Sequence, residues 1–285
     1  MARPRRLVRL GSVSLAILLL AATHAGPVIA ADPPPHDGVD VKKSRLLLLP
    51  KSTVENSSAQ QYAQMMRAAA QKNALNTDKA QLERLRQIAR TLIPPAARFN
   101  DDSKRWRWEV NLISSRSINA FCMPGGKIAF YTGILSALNL TDDEIAVIMG
   151  HEIAHALLEH GRARMSEQVL KNVGVSVAAA VFNLGQVSAG LLAQATDLAV
   201  TLPFSRQHET DADLVGMELA ARAGYDPRAA AEVWRKMAKL GASGKSQPPQ
   251  ILSTHPAHAS RIRDIEANLP KVMPLYETAV RAKPR

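Results

Sequence analysis

Residues 144–161 read EIAVIMGHEIAHALLEHG. Most of this run is aliphatic or glycine, yet His151, Glu152 and His155 break into it within five positions. The flanks define a helix. Thr141 and Glu144 hold the S/T-x-x-E spacing of a capping box, and Leu140 and Ile145 are placed as its hydrophobic staple. Gly161 supplies a stop signal, so the pattern predicts a helix over 142–160. A helix that is apolar nearly all round belongs in the interior. Two imidazoles and a carboxylate left unpaired there would cost on the order of several kcal/mol. Bound to a metal ion, the same groups become ligands instead.

The spacing suits that ion. Residues four apart share a helix face, about 6 Å from each other. His151 and His155 can therefore aim ring nitrogens at one point, and zinc binds imidazole nitrogen at about 2.0–2.1 Å. Glu152 lies about 100° round the helix, beside the ion and placed to hold a water. H-E-x-x-H on a helix is the zinc-protease pattern, with the glutamate as general base. A third ligand is needed. Glu159 stands about 12 Å along the axis from His151, too far to share the ion. His160 reads as a dipole partner at the helix C-terminus, and both are assigned to the surface. The segment SRQHETDADLVG, residues 205–216, is the better source. Glu209 and Asp213 lie four apart on a predicted helix. Glu209 can ligate, and Asp213 can accept a hydrogen bond from the distal nitrogen of a ligating histidine. The alternative is that Glu209, Asp211 and Asp213 form a solvated acidic face.

Around this centre the chain alternates helical and strand-like patterns. Residues 57–72 and 77–92 carry apolar residues at helical spacing. RWRWEVNLI, 105–113, alternates Trp106, Trp108, Val110 and Leu112 with period two. INAFCMPGGKIAFYTGIL, 118–135, reads as two strands around Pro124-Gly125-Gly126, then a short helix over 135–139. Residues 166–203 are small and apolar, but Asn183, Gln186, Gln194 and Asp197 interrupt any run of membrane-spanning length. They read as buried or membrane-adjacent helices. Further helices are expected over 205–223 and from Asp226-Pro227 to about Leu240, and a last one ends near Leu269. The expected fold class is α+β, mostly helical, with a small sheet or hairpin preceding the zinc helix.

The first thirty residues read as a secretory signal. Arg3, Arg5, Arg6 and Arg9 precede a short apolar run, and cleavage is expected near Ala30. An uncleaved anchor facing the periplasm is the alternative. Residues 31–45, rich in proline and charge, read as a linker, and 46–285 as one catalytic domain. The net charge of +11 drops to +7 once the four signal arginines are gone. The remaining basic residues are scattered and aromatics make up 4%, so no nucleic-acid partner is expected. The lone cysteine, Cys122, forbids an internal disulfide and reads as a small buried apolar residue.

The combination of motifs resembles the gluzincin peptidases of the HtpX, BepA and CAAX-prenyl-protease kind. His151-Glu152-x-x-His155 precedes Ser205-Arg206-x-x-Glu209-x-x-Ala212-Asp213. NAFCMPGGKIAFYTGIL resembles the strand pair ahead of that family's zinc helix, and LSTHPAHASRI its T-H-P segment, here Thr254, His255 and Pro256 with Arg261 following. The resemblance implies a zincin-like domain with one zinc ion, acting on protein or peptide substrates. It implies His151, His155 and Glu209 as ligands and Glu152 as general base. His255, His208 and Arg206 remain open as a second oxyanion donor. His255 is also a candidate inhibitory ligand. Asn119, Ala120, Phe121, Cys122 and Met123 form the strand expected to pair with substrate. A compact periplasmic member acting in envelope protein quality control is expected. The rival is a non-catalytic chaperone-like protein on the same scaffold.

Overall fold

The order of elements is two helices, a three-stranded sheet, then seven further helices among the described residues. The structure, a computed structural model, describes residues 37–41, 47–183, 203–242, 249–256 and 260–282, without the side chains of 172–183. The expected signal, most of the expected linker and much of 166–203 lie outside these residues.

Helix α1, Lys51–Gln71, starts six residues before the pattern suggested, and α2 spans Lys79–Leu92. The α2 N-cap is Asp78, whose carboxylate accepts from the Gln81 amide at 3.0 Å. Two 3-10 turns, Pro94–Arg98 and Asp101–Arg105, lead into the sheet. Strand β1 is Glu109–Ile113, β2 is Ala120–Met123 and β3 is Lys127–Tyr131. Trp106 and Trp108, expected inside the first strand, precede it. Their indole N–H groups donate to Glu55 and to the Ser103 carbonyl, which ties the approach to the strand rather than the strand itself.

The strand order is β1-β3-β2. β3 pairs parallel with β1 and antiparallel with β2. The expected hairpin thus carries a third strand on its far side, leaving β2 at an edge of the sheet among the described residues. Gly125 and Gly126 turn the hairpin with φ of 82° and 78°. A Cβ on Gly126 would also meet the Trp108 ring at 2.6 Å.

Short α3, Thr132–Ala137, leads to α4, Asp142–Leu157. The capping box is formed: Thr141 Oγ1 accepts from the Glu144 amide, and Glu144 Oε2 from the Thr141 amide at 2.9 Å. Such a cap is worth about 1 kcal/mol. Every residue from Glu144 to Leu157 is buried. The helix does not reach 160. It ends at Leu158, and Glu159 adopts φ of 57°, uncommon for a side chain larger than glycine. Glu159 pairs with Arg162 at 2.9 Å, and a separate helix, α5, His160–Asn183, begins after the break. Gly161 therefore sits inside a helix rather than ending one. No helix among the described residues is long and apolar enough to cross a membrane.

Helix α6, Arg206–Arg222, is the main partner of α4. The two meet at glycines. A Cβ on Gly150 would lie 2.7 Å from the Gly216 carbonyl oxygen, and one on Gly216 2.6 Å from the His151 amide nitrogen. Side chains are excluded there, so the backbones themselves pack. Helix α7, Ala229–Ala242, and short α8, Gln250–Thr254, follow. Helix α9, Arg261–Ala282, continues thirteen residues past its expected end at Leu269, through Pro270 and Pro274. Val272 and Leu275 are buried, and their packing holds the segment on course beyond the prolines.

Residues 37–41, read as linker, are docked. Val39 is part of the core, and its amide donates to Glu218 Oε2 at 2.6 Å. Glu218 on α6 is fully buried and also pairs with Arg98 at 2.6 Å and Arg222 at 2.7 Å.

Candidate metal centre

Four side chains from three elements converge. His151 and His155 come from α4, Glu209 from the first turn of α6, and His255 from the residue after α8. One donor atom from each lies within 4.8 Å of all the others, and all four residues are buried. His151 Nε2 is 3.1 Å from His155 Nε2 and 3.3 Å from His255 Nδ1. Glu209 Oε1 is 3.0 Å from His255 Nδ1 and 3.5 Å from His155 Nε2, and its Oε2 is 3.7 Å from His151 Nε2. Tetrahedral ligands at 2.0–2.1 Å from zinc stand about 3.3–3.4 Å apart. The observed separations bracket that value. Three imidazoles and one carboxylate are also the donor types zinc prefers. The residues present fit one zinc ion.

The surroundings orient the donors. His151 Nδ1 lies 2.9 Å from Asp213 Oδ1. Arg261, from the first residue of α9, grips both acids of α6. Its Nε donates to Asp213 Oδ2 at 2.8 Å, its Nη2 to Asp213 Oδ1 at 2.6 Å and its Nη1 to Glu209 Oε2 at 2.5 Å. Its guanidinium lies 3.4 Å from the centre of the Trp234 ring. Burial works to raise the Asp213 pKa, but Arg261 and His151 outweigh it and hold the carboxyl far below its ordinary range. Burial likewise opposes Glu209, and His255, His151 and Arg261 still hold it low.

Glu152 behaves in the opposite way. Burial pushes its pKa up, only partly offset by His255 and His151. Its Oε1 is buried without a hydrogen-bond partner, 3.6 Å from His255 Nε2. Thus Glu209 and Asp213 share one guanidinium in direct contact, while Glu152 has none. A divalent cation held by the four donors would supply the missing positive charge.

Residues 79–269 match peptidase family M48. The chain belongs to that family. It is similar to the mitochondrial metalloendopeptidase OMA1 of Arabidopsis thaliana, 38% identical over 54% of this chain and 30% of the relative. OMA1 of Schizosaccharomyces pombe is 37% identical over 61% of this chain and 50% of the relative. The beta-barrel assembly-enhancing protease of Escherichia coli (strain K12) is 30% identical over 58% and 35%. The chain thus spans about a third to a half of the length of these relatives. The M48 match contains the whole donor set, from His151 on α4 to His255 after α8.

Of the three residues left open as oxyanion donors, the structure brings His255 to the donor atoms. His208 instead stacks on the His160 ring, with centroids 4.2 Å apart, and Arg206 is exposed at the α6 N-terminus. His160 is a correction. It is fully buried, not on the surface, because the break at Glu159 turns α5 back along the site. Its Nδ1 lies 2.9 Å from His155 Nδ1. The contacts of Arg261 and the stacking of Phe204 on His155, at 3.9 Å, were not read from the sequence either. Both join residues far apart in the chain, which no local spacing reports.

The expected substrate strand lines a cleft that reaches the metal donors. Asn119 through Pro124 line one side, and Glu152, His155 and His255 the other; the cleft spans about 730 Å³, including the open solvent at its mouth. A second, apolar pocket opens beside Glu152 and His255, lined by Val147, Met217, Val233, Trp234 and Met237.

Proposed function

We propose that this chain is a zinc-dependent endopeptidase. The observation that carries the reading is a tetrahedrally spaced donor set with a buried carboxylate, Glu152, beside it, whose Oε1 has no hydrogen-bond partner and whose pKa is raised. His151, His155 and Glu209 hold the ion, and Asp213, its Oδ1 2.9 Å from His151 Nδ1, orients that ring by its charge. Zinc, when bound, supplies a Lewis acid and a water of lowered pKa. Glu152 accepts the proton of the attacking water and returns it to the leaving amine. Its burial suits both steps, because a raised pKa makes it a better base and lets it carry the proton. The edge of β2 offers backbone groups to an extended peptide, so the substrate adds as a strand. The apolar pocket receives a hydrophobic side chain next to the scissile bond.

His255 stands in the place where a substrate carbonyl or water would complete the coordination. We read it as a fourth ligand that closes the site and must leave before substrate binds. Replacing it with alanine should raise the basal rate; unchanged activity with zinc bound would reject this role. Residues 1–30 read as a cleaved export signal, placing the chain in the periplasm of a Gram-negative-type cell. Misfolded or misassembled envelope proteins are the proposed substrates. Support comes from the family resemblance and from a relative named for assisting β-barrel assembly.

Casein digestion by the zinc-loaded protein beside Glu152→Gln tests the activity. The variant should keep its zinc and lose about 10²–10⁴ in rate, the usual worth of a general base. Equal cleavage by both proteins would leave the chaperone-like rival standing.

A further inference from the structure

The two histidines of α4 are held from behind by groups of opposite character. His151 turns its Nδ1 to a carboxylate, Asp213, at 2.9 Å. His155 turns its Nδ1 to another imidazole, His160, also at 2.9 Å. His160 is fully buried, its Nε2 has no hydrogen-bond partner, and its ring is wedged between those of His155 and His208.

We infer that His160 is the positioning residue for His155: its Nδ1 accepts the Nδ1–H proton of His155 and so locks the tautomer that leaves Nε2 free to bind the metal. The deduction follows from coordination chemistry and rests on the zinc reading above. His155 presents Nε2 to the other donors, so as a ligand it must carry its proton on Nδ1. The only atom this proton meets among its described hydrogen-bond partners is His160 Nδ1. That atom must then be an unprotonated acceptor, with the His160 proton on Nε2. A ligating histidine ordinarily donates to a carboxylate, a carbonyl or water. Here a neutral ring takes that place on one of the two ligands.

The fold makes the contact possible. The left-handed Glu159 ends α4 one turn after His155, so the first residue of α5 folds back onto the ligand. A continuous helix would have pointed residue 160 elsewhere. Phe204, stacked on His155 at 3.9 Å and 24°, fixes the plane of the ligand ring while His160 fixes its rotation.

The test uses the full chain carrying Glu152→Gln, to prevent self-digestion, with ¹⁵N-labelled histidine and stoichiometric zinc. A nitrogen–nitrogen coupling across the hydrogen bond, linking His155 Nδ1 to His160 Nδ1, is expected, with the His155 proton on Nδ1. Zinc bound without that coupling overturns the inference and leaves the metal site intact. Failure to bind zinc removes the metal reading and the inference together. In parallel, zinc affinity is measured by competition with a chelator for His160→Leu and His160→Asn. Leucine removes the acceptor and should weaken binding about 10–100-fold, while the asparagine amide oxygen restores an acceptor near Nδ1 and should recover most of the loss. Equal affinity for wild type and the leucine variant would also overturn it. A purely packing role predicts that asparagine fares no better than leucine.

Discussion

Helix α6 carries two buried acid–arginine clusters, and they are built differently. At its C-terminal end, Glu218 is surrounded: Arg98, Arg222 and the Val39 amide satisfy a single carboxylate. At its N-terminal end the ratio reverses, with Arg261 shared by Glu209 and Asp213. The first cluster is complete and fastens the segment before α1 to the core. The second is short of positive charge, and its unsatisfied face points at two imidazoles. A closed cluster holds structure; an open one holds a cation. The same physics, the cost of a buried unpaired charge, produces an anchor in one place and a ligand in the other.

The sharpest way to break this contrast is to delete one acid from each end. Glu209→Ala should lose zinc and peptidase activity together, by more than about a hundredfold, since even the outer partners of a ligand cost up to that much. Metal analysis and casein digestion read this directly. Glu218→Ala should keep its zinc yet lose about 2–4 kcal/mol of stability in urea unfolding. That sits at or below the range for a fully buried pair, because Arg98 and Arg222 retain some contact with water. If Glu218→Ala instead lost zinc, the two ends would be one cooperative unit.

A smaller effect is expected from Gly38→Ala. Gly38 has φ of 112°, and a Cβ there would lie 2.1 Å from Glu218 Oε2. The backbone strain alone predicts about 1–3 kcal/mol, seen as a lowered Tm with full zinc content. The mildest probe is acid. The Asp213 carboxyl titrates lower in the folded metal-free protein than in the unfolded chain. Between those two pKa values the unfolded state binds the extra proton, so stability rises with pH there. The contribution of Asp213 is therefore intact above about pH 4, the ordinary aspartate range, and is lost as pH falls below it. Metal-free Asp213→Asn should show a flatter stability profile in that acid window, and an unchanged slope would remove Asp213 from the cluster.

These outcomes bear on what could be read from the chain. The capping box at Thr141 and Glu144 and the pairing of His151 with His155 were legible because each rests on residues within one turn. Glu209 and Asp213 were legible as a pair for the same reason. The break at Glu159 was not. Nothing in hydrophobic periodicity marks a left-handed glutamate, and with a straight helix assumed, His160 fell on the surface. Arg261 lies 48 and 52 residues from its partners, so its role depends on tertiary packing alone. The docking of Val39 was hidden behind prolines and charges that look like a linker, while the deciding feature, the fully buried Glu218 carboxylate that accepts from its amide, lies 179 residues away.

The contact between Gly150 and Gly216 has a wider consequence. His151 follows one of these glycines directly, and Glu209 sits about two turns of α6 before the other. The gap between the imidazole and the carboxylate is therefore gauged by how near two bare backbones can come. A single methyl group at either place would act as a shim, widening the jaws of the clasp without touching any ligand. The reach of this site is set as much by two atoms left out of the chain as by the donors put into it.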